Sequence, residues 1–398
     1  MNLHWLKPLL GRPSPFTTVY LDVTRADAAG EAEAADRWKA VRRQLERDGA
    51  PAPVLDEIGD LVATPTGVRG PHGRVIVSDA DSVVVDRVLA EPPAQAHAVF
   101  GPVPALLPVI RAADQTVSYL LVAVDRNGAD LTWATGGSVR TAGGPEVETV
   151  EGGHDDVHKT REGGLDRRSQ TRAEDSWQRN AEAVAHLLDK RVSERSPDVV
   201  LLTGDVRAVA LVREAVAQHV TESLVDVPGG ARGEGANHDV FDGRVAEVLT
   251  AFRHRRRDAV LDRFRQAQGR GGGAVTALDD VIEVLRRGQV SELVLHVDSL
   301  SQGLSERQLW VGDEPLQLAS SQGDLAAIGV ADGARQLPAD VALVRAAIGQ
   351  DAGLTFAENG SVDLVDGIGA VLRWSDGSTP SESVPTQSAD QGRLRSVL

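Results

Sequence analysis

The segment HDDVH places His154, Asp155, Asp156 and His158 side by side. Imidazoles and carboxylates at this spacing are compatible with a zinc or iron site. A His pair at i and i+4 grips a metal when both rings share one helix face, and Gly152 and Gly153 just upstream disfavour a helix there. The segment therefore reads as a solvated loop, and neither metal nor cofactor is expected. The chain has no cysteine, which removes thiolate metal sites and Cys nucleophiles, and it contains no GxSxG elbow. The glycine clusters Gly229 to Gly235 and Gly269 to Gly273 lack the spacing of a nucleotide-binding fingerprint and read as turn and linker.

The other chemistry is phosphate recognition by clustered cations. Lys159, Arg161, Arg167, Arg168 and Arg172 fall in a stretch whose only acids are Glu162 and Asp166. A second island holds Arg253, Arg255, Arg256, Arg257, Arg263 and Arg265, and a third holds Arg37, Lys39, Arg42, Arg43 and Arg47. For the latter two, a solvated helix face is an equally good reading. These islands sit in an acidic chain of 398 residues with net charge −16. That balance argues against general nucleic-acid affinity, which Lys and Arg supply by neutralising phosphates, and no DNA partner is expected. The acidity is concentrated beyond residue 266, where 9 basic residues face 18 acidic ones. No run of 18 apolar residues occurs and Met1 to Leu10 lacks a signal-peptide pattern, so a cytoplasmic location without membrane contact is expected.

The elements that must position these residues follow from periodicity and punctuation. Length predicts several domains. In residues 1–115, Phe16 to Val23 reads as a strand, Glu31 to Asp48 and Val54 to Ala63 as helices, Thr64 to Gly73 as a Pro/Gly-rich loop, Arg74 to Leu89 as two strands and Val103 to Ala113 as a helix. Residues 116–268 begin with Val117 to Val124 and Ala129 to Ala134, joined by DRNG, a hairpin signal because both of its last residues tolerate positive φ. A polar, Gly-rich loop spans Glu151 to Gln170 and enters a helix from Thr171 to Arg195. Strand 198–203, helix 205–220, strand 223–227 and helix 240–268 then alternate as α/β units do. Residues 269–374 form a smaller α/β sandwich, and Ser375 to Leu398 reads as a disordered tail.

Two stretches carry a resemblance. Gly163, Gly164, Leu165, Asp166, Arg167 and Arg168, followed by Ala173, Glu174 and the helix to Val192, resemble the middle domain of archaeal and eukaryotic class 1 release factors and Pelota, where a Gly-Gly-Gln loop leads into an Arg-rich turn and a helix. Val365 to Trp374 (VDGIGAVLRW) is similar to the closing strand of that family's third domain. Within the superfamily, the chain looks most like the bacterial branch of ribosome hibernation factors typified by Balon. The resemblance implies an α/β, three-domain architecture covering nearly the whole chain.

It also implies a function. Leu165 stands where release factors carry the Gln that helps order the hydrolytic water, and a leucine has no hydrogen-bonding group. Neither glycine pair, Gly163 and Gly164 or Gly152 and Gly153, is followed by Gln, and the first domain lacks an Asn-Ile-Lys-Ser motif. The implied protein is a non-enzymatic hibernation factor occupying the ribosomal A site from decoding centre to peptidyl transferase centre. Lys159, Arg161, Gly163, Gly164, Leu165, Arg167, Arg168 and Arg172 would meet 23S rRNA at the peptidyl transferase side. Arg69, His72 and Arg74, from the loop of the first domain, would meet 16S rRNA at the decoding side, and Arg253, Arg255, Arg256 and Arg257 supply an additional basic island. The 70S ribosome and elongation factor Tu are the implied partners. A Pelota-like rescue factor for stalled ribosomes and a hydrolase of tRNA or peptidyl-tRNA are the alternatives.

Overall fold

A computed structural model of the protein describes residues 3–25, 28–68, 71–136, 139–140, 146–151, 167–232, 238–297, 303–304, 306–330 and 332–380. The fold is mixed α/β, and the chain packs into two compact units, residues 1–115 with 254–398 and residues 116–253.

The first unit opens with a 3-10 turn, His4–Leu9, and strand β1 (Phe16–Asp22), where the sequence places it. Helices α1 (Ala28–Arg47) and α2 (Ala52–Ala63) follow, then β2 (Gly73–Ser78), β3 (Val83–Leu89) and β4 (His97–Gly101). The strands lie in the order β4-β1-β2-β3, all antiparallel. Val19, Leu21 and Ile76 of the sheet meet Trp38 and Leu45 of α1 and Leu55 and Ile58 of α2, giving these residues one buried core. Helix α3 (Leu107–Asp114) starts four residues later than periodicity suggests. Pro102 and Pro104 explain the delay, because each restricts the residue before it to extended backbone.

In the second unit, β5 (Val117–Val124), β6 (Gly128–Gly136), β7 (Val139–Arg140) and β8 (Glu146–Glu151) precede the long helix α4 (Arg167–Arg195). Then come β9 (Val199–Gly204), α5 (Val206–Ala215), α6 (Gln218–Thr221) and β10 (Leu224–Asp226). The sheet order is β10-β9-β5-β6-β8, parallel from β10 to β5 and antiparallel from β5 to β8. Strand β9 is apolar on both faces because both are covered. Val200 and Leu202 pack with Val184, Leu188 and Val212, while Val199 and Leu201 pack with Phe241, Val245 and Leu249.

The segment read as one helix from Asp205 to Val220 is two. Val216 takes extended angles (φ −71°, ψ 151°), and Asp189 accepts a hydrogen bond from the Ala217 amide at 2.9 Å, which re-aims the chain. Asp205 caps α5 through the amides of Arg207 and Ala208.

Helix α7 (His238–Gly269) leads into β11 (Ala274–Thr276), α8 (Leu278–Arg286) and β12 (Val290–His296). A small sheet of β13 (Gln308–Val311), β14 (Leu318–Ala319) and β15 (Arg335–Pro338) follows, with helices α9 (Gln322–Ala327) and α10 (Ala339–Gly349), then β16 (Gly353–Ala357) and β17 (Ile368–Leu372). The sheet β11-β17-β12-β16 packs Val294, Ala357 and Val371 against Val260, Leu261 and Phe264 of α7. The segment read as a tail starts bound: Arg287 donates to Ser378 Oγ at 2.8 Å and Gln289 to Thr379 Oγ1 at 2.9 Å. Residues 381–398 lie outside the described residues.

Candidate functional site at the β5–β6 turn

The described chain leaves β8 at Glu151 and resumes in α4 at Arg167. His154, Asp155, Asp156, His158, Lys159, Arg161, Gly163, Gly164 and Leu165 therefore fall outside the described residues. Arg167, Arg168 and Arg172 do not lie in a loop. The backbone places all three on the first turns of α4, which begins four residues earlier than the sequence reading has it.

The β5–β6 turn touches both the end of β8 and, ten to thirteen residues beyond its start, helix α4. Glu151 pairs with Gly128, so the outgoing strand runs beside the β5–β6 turn, Asp125 to Gly128. That turn is closed by Asp125, whose Oδ1 accepts from the amides of Asn127 (2.8 Å) and Gly128 (2.9 Å). Helix α4 reaches the same turn. Asn180, buried, donates from Nδ2 to the Arg126 carbonyl at 2.9 Å, and the Arg126 guanidinium sits 4.7 Å from the Trp177 ring centre. Arg207, at the start of α5, approaches the same ring at 5.9 Å. Arg232, largely buried, bridges Asp125 and Asp130 at 3.1 Å each. Cation–π pairs of this kind contribute about 0.5–2 kcal/mol, more as they lose water.

The DRNG turn stands where the sequence places it, for a different reason. Neither Asn127 nor Gly128 has positive φ. Gly128 is required because a Cβ there would sit 1.9 Å from the Val150 carbonyl oxygen. Gly204, at φ +128°, is in the same position on the other side of β5, with the Val124 carbonyl 1.9 Å from a virtual Cβ. Along β8, Arg191 of α4 forks onto Glu148 (2.7 and 2.8 Å) and Arg195 onto Glu146 (2.8 Å twice), with Arg195 also 4.7 Å from the Trp133 ring centre. The hydrogen bonds from Arg191 and Arg195 hold the Glu148 and Glu146 carboxyls below the usual range. Strand β8 carries no strand signal in the sequence because EVETVE is acid-rich; two of its three acids, Glu146 and Glu148, are partners of α4.

Asn180→Ala leaves the Arg126 carbonyl without its donor and should cost about 1–2 kcal/mol. Faster hydrogen exchange at the β5–β6 amides, with the first unit unaffected, is the expected measurement.

The decoding-side expectation is corrected. His72 and Arg74 are each 3% exposed. His72 Nε2 lies 2.7 Å from Thr66 Oγ1, and Arg74 forks onto Asp86 at 2.6 and 2.7 Å while donating to the carbonyls of Leu61 and Thr64. Neither side chain is presented to a partner. Arg69 lies outside the described residues. In the second island, Arg253 donates to Thr250, Arg256 to the Asp114 carbonyl and Arg257 to Glu358, while Arg255 is exposed. The third island is a paired helix face: Arg37 with Glu33, Lys39 with Asp36, Arg42 with Glu46 and Asp56. Among the described residues, no group of three or more His, Asp or Glu is arranged to hold a metal, and no helix is long and apolar enough to cross a membrane.

Residues 118–270 match the family model of bacterial archaeo-eukaryotic release factor family 2. The release-factor resemblance read from the sequence is thereby borne out over residues 118–270. The chain is 27% identical over 380 residues to Rv2629 of Mycobacterium tuberculosis (strain ATCC 25618 / H37Rv), covering 94% of this chain and 97% of that one. Among solved structures it is similar to Saccharomyces cerevisiae Dom34, a translation termination-like factor, at 10% identity and a TM-score of 0.40, covering 78% and 81% of the two chains. It is also similar to a chain of a ribosome-bound archaeal Pelota and ABCE1 complex, at 11% identity and a TM-score of 0.40, covering 93% and 92%.

Proposed function

We propose, taking the match of residues 118–270 to a bacterial release factor-like family as the premise, that this chain is a ribosome-binding factor that occupies the A site of idle ribosomes without hydrolysing peptidyl-tRNA. The single observation that carries the proposal is this match over the segment that includes Gly163, Gly164 and Leu165, with Leu rather than Gln at position 165. Arg167, Arg168 and Arg172 would then meet rRNA phosphates, Leu165 would fill space where Gln orders water, and elongation factor Tu would meet the acidic C-terminal third. The buried state of His72 and Arg74 shifts any decoding-side contact to other residues of the first domain.

Sedimentation with purified 70S ribosomes tests this directly. Binding should weaken as salt rises, and reversing Arg167, Arg168 and Arg172 to Glu together should reduce affinity on the order of tenfold or more. Affinity that is flat in salt and indifferent to the triple reversal defeats the proposal. Ribosomes loaded with peptidyl-tRNA should retain their peptide when the protein binds, with or without a stop codon. Peptide release above background would instead support a hydrolase.

A further inference from the structure

Two asparagines, Asn127 and Asn359, are each followed by glycine. In such a pair the glycine amide nitrogen can attack the asparagine side chain, because no Cβ shields it. The two pairs share this chemistry and differ in what the fold does with the nitrogen.

Gly128 is buried and its amide donates to Asp125 Oδ1 at 2.9 Å. Even a methyl group has no room beside it, since the Val150 carbonyl oxygen lies 1.9 Å from a virtual Cβ. That nitrogen is tied up inside a packed hairpin. Gly360 is the opposite case. It is exposed, with Asn359, in the turn that follows β16, which the Ser361 amide closes by donating to the Glu358 carbonyl at 3.0 Å. Gly360 takes φ +80°, as the third residue of a type II turn must. Its own amide has no hydrogen-bond partner among the described residues, and nothing lies within 4 Å of a virtual Cβ. Only the flanks of the turn are held to α7: Arg257 donates to Glu358 at 3.0 Å and Arg265 to the Ser361 carbonyl at 2.8 Å.

We propose that Asn359 is a site of spontaneous deamidation and that the fold exempts Asn127. The Gly360 nitrogen bonds to Asn359 Cγ, the Cγ–Nδ2 bond breaks, and ammonia leaves with the proton that the Gly360 nitrogen gives up. Water then opens the resulting succinimide ring at one of its two carbonyls. The product is aspartate or, with the main chain rerouted through Cβ, isoaspartate. Either product places a carboxylate next to Glu358, where it competes for Arg257, and isoaspartate also adds a methylene between the two points that α7 holds. The site is independent of the ribosome-binding role proposed for the middle unit.

Incubation of the folded full chain in mildly alkaline buffer, where amide nitrogens ionise more readily, tests the proposal by mass spectrometry of its peptides. The Asn359 peptide should gain the mass that exchanging an amide for a carboxylate adds, and should contain isoaspartate. Its conversion should be on the order of tenfold faster, or more, than that of the Asn127 peptide, whose reaction has to wait for local opening of the hairpin. In urea the two rates should converge, because both nitrogens are then equally open. An Asn359 peptide that keeps its amide overturns the proposal, as does equal conversion of the two peptides in the folded chain. A difference that persists in urea would place its cause in the neighbouring residues and overturn the role of the fold. All three comparisons are made within one molecule and need no variant.

Discussion

Arg74→Met should destabilise the first unit by about 3–5 kcal/mol, the usual result of removing one partner from a buried ion pair. Asp86 would keep its charge at the sheet with no guanidinium to receive it, and the carbonyls of Leu61 and Thr64 would each lose a donor. Urea denaturation combined with hydrogen exchange should show early opening of β2, β3 and the end of α2. An Arg74 that served only as an RNA contact would leave the free protein unchanged, so the measurement separates the two roles without a ribosome in the tube. Any loss of ribosome binding in this variant would then follow from unfolding.

Gly128→Ala is expected to be the next most damaging change, at roughly 3 kcal/mol, near the top of the ordinary range for single substitutions. The added methyl would occupy the space of the Val150 carbonyl oxygen, forcing β8 away from β6 or the turn away from Asp125. For a unit of this size the midpoint should fall by roughly 10 °C. Gly243→Ala is the control. It is exposed in α7, a Cβ there meets nothing within 4 Å, and alanine is the better helix former by about 0.5–1 kcal/mol. Calorimetry that finds the two substitutions equivalent would contradict the close approach at residue 128.

What was legible in the sequence was set by burial. VSYLLVAV and DVVLLT are strands covered by helices, and their apolar runs identify them to within a residue. Edge strands carry no such mark: β4 shows one buried residue in five, and β8 none in its acidic EVETVE. Among the described residues, the short strands β13, β14 and β15 pair with one another, in a sheet that local periodicity does not reveal.

At the site, Trp177 and the DRNG turn were both visible as local signals. Their meeting through Arg126 and Asn180 was not, because it depends on which helix covers which hairpin. The Pro/Gly-rich stretch before Arg74 reads as solvent-exposed loop chemistry. The residue after Gly73 nevertheless begins the central part of a sheet, beneath the end of α2, and so Arg74 is buried.

The first unit is discontinuous in sequence, which has a consequence for synthesis. The core that joins β1 and β2 to α1 and α2 lies wholly within the first hundred residues and can close as soon as they emerge. The contacts Lys7 to Asp351 and Arg111 to the Val297 carbonyl must wait until residues 116–253 and beyond have been translated. At about 5–20 residues per second that interval is roughly 10–50 s, during which the apolar surfaces of the first turn and α3 stand open to water. A nascent chain arrested before residue 254 should therefore bind a hydrophobic dye or a chaperone at the Leu6–Leu9 and α3 surface, and one extended past Leu372 should release it.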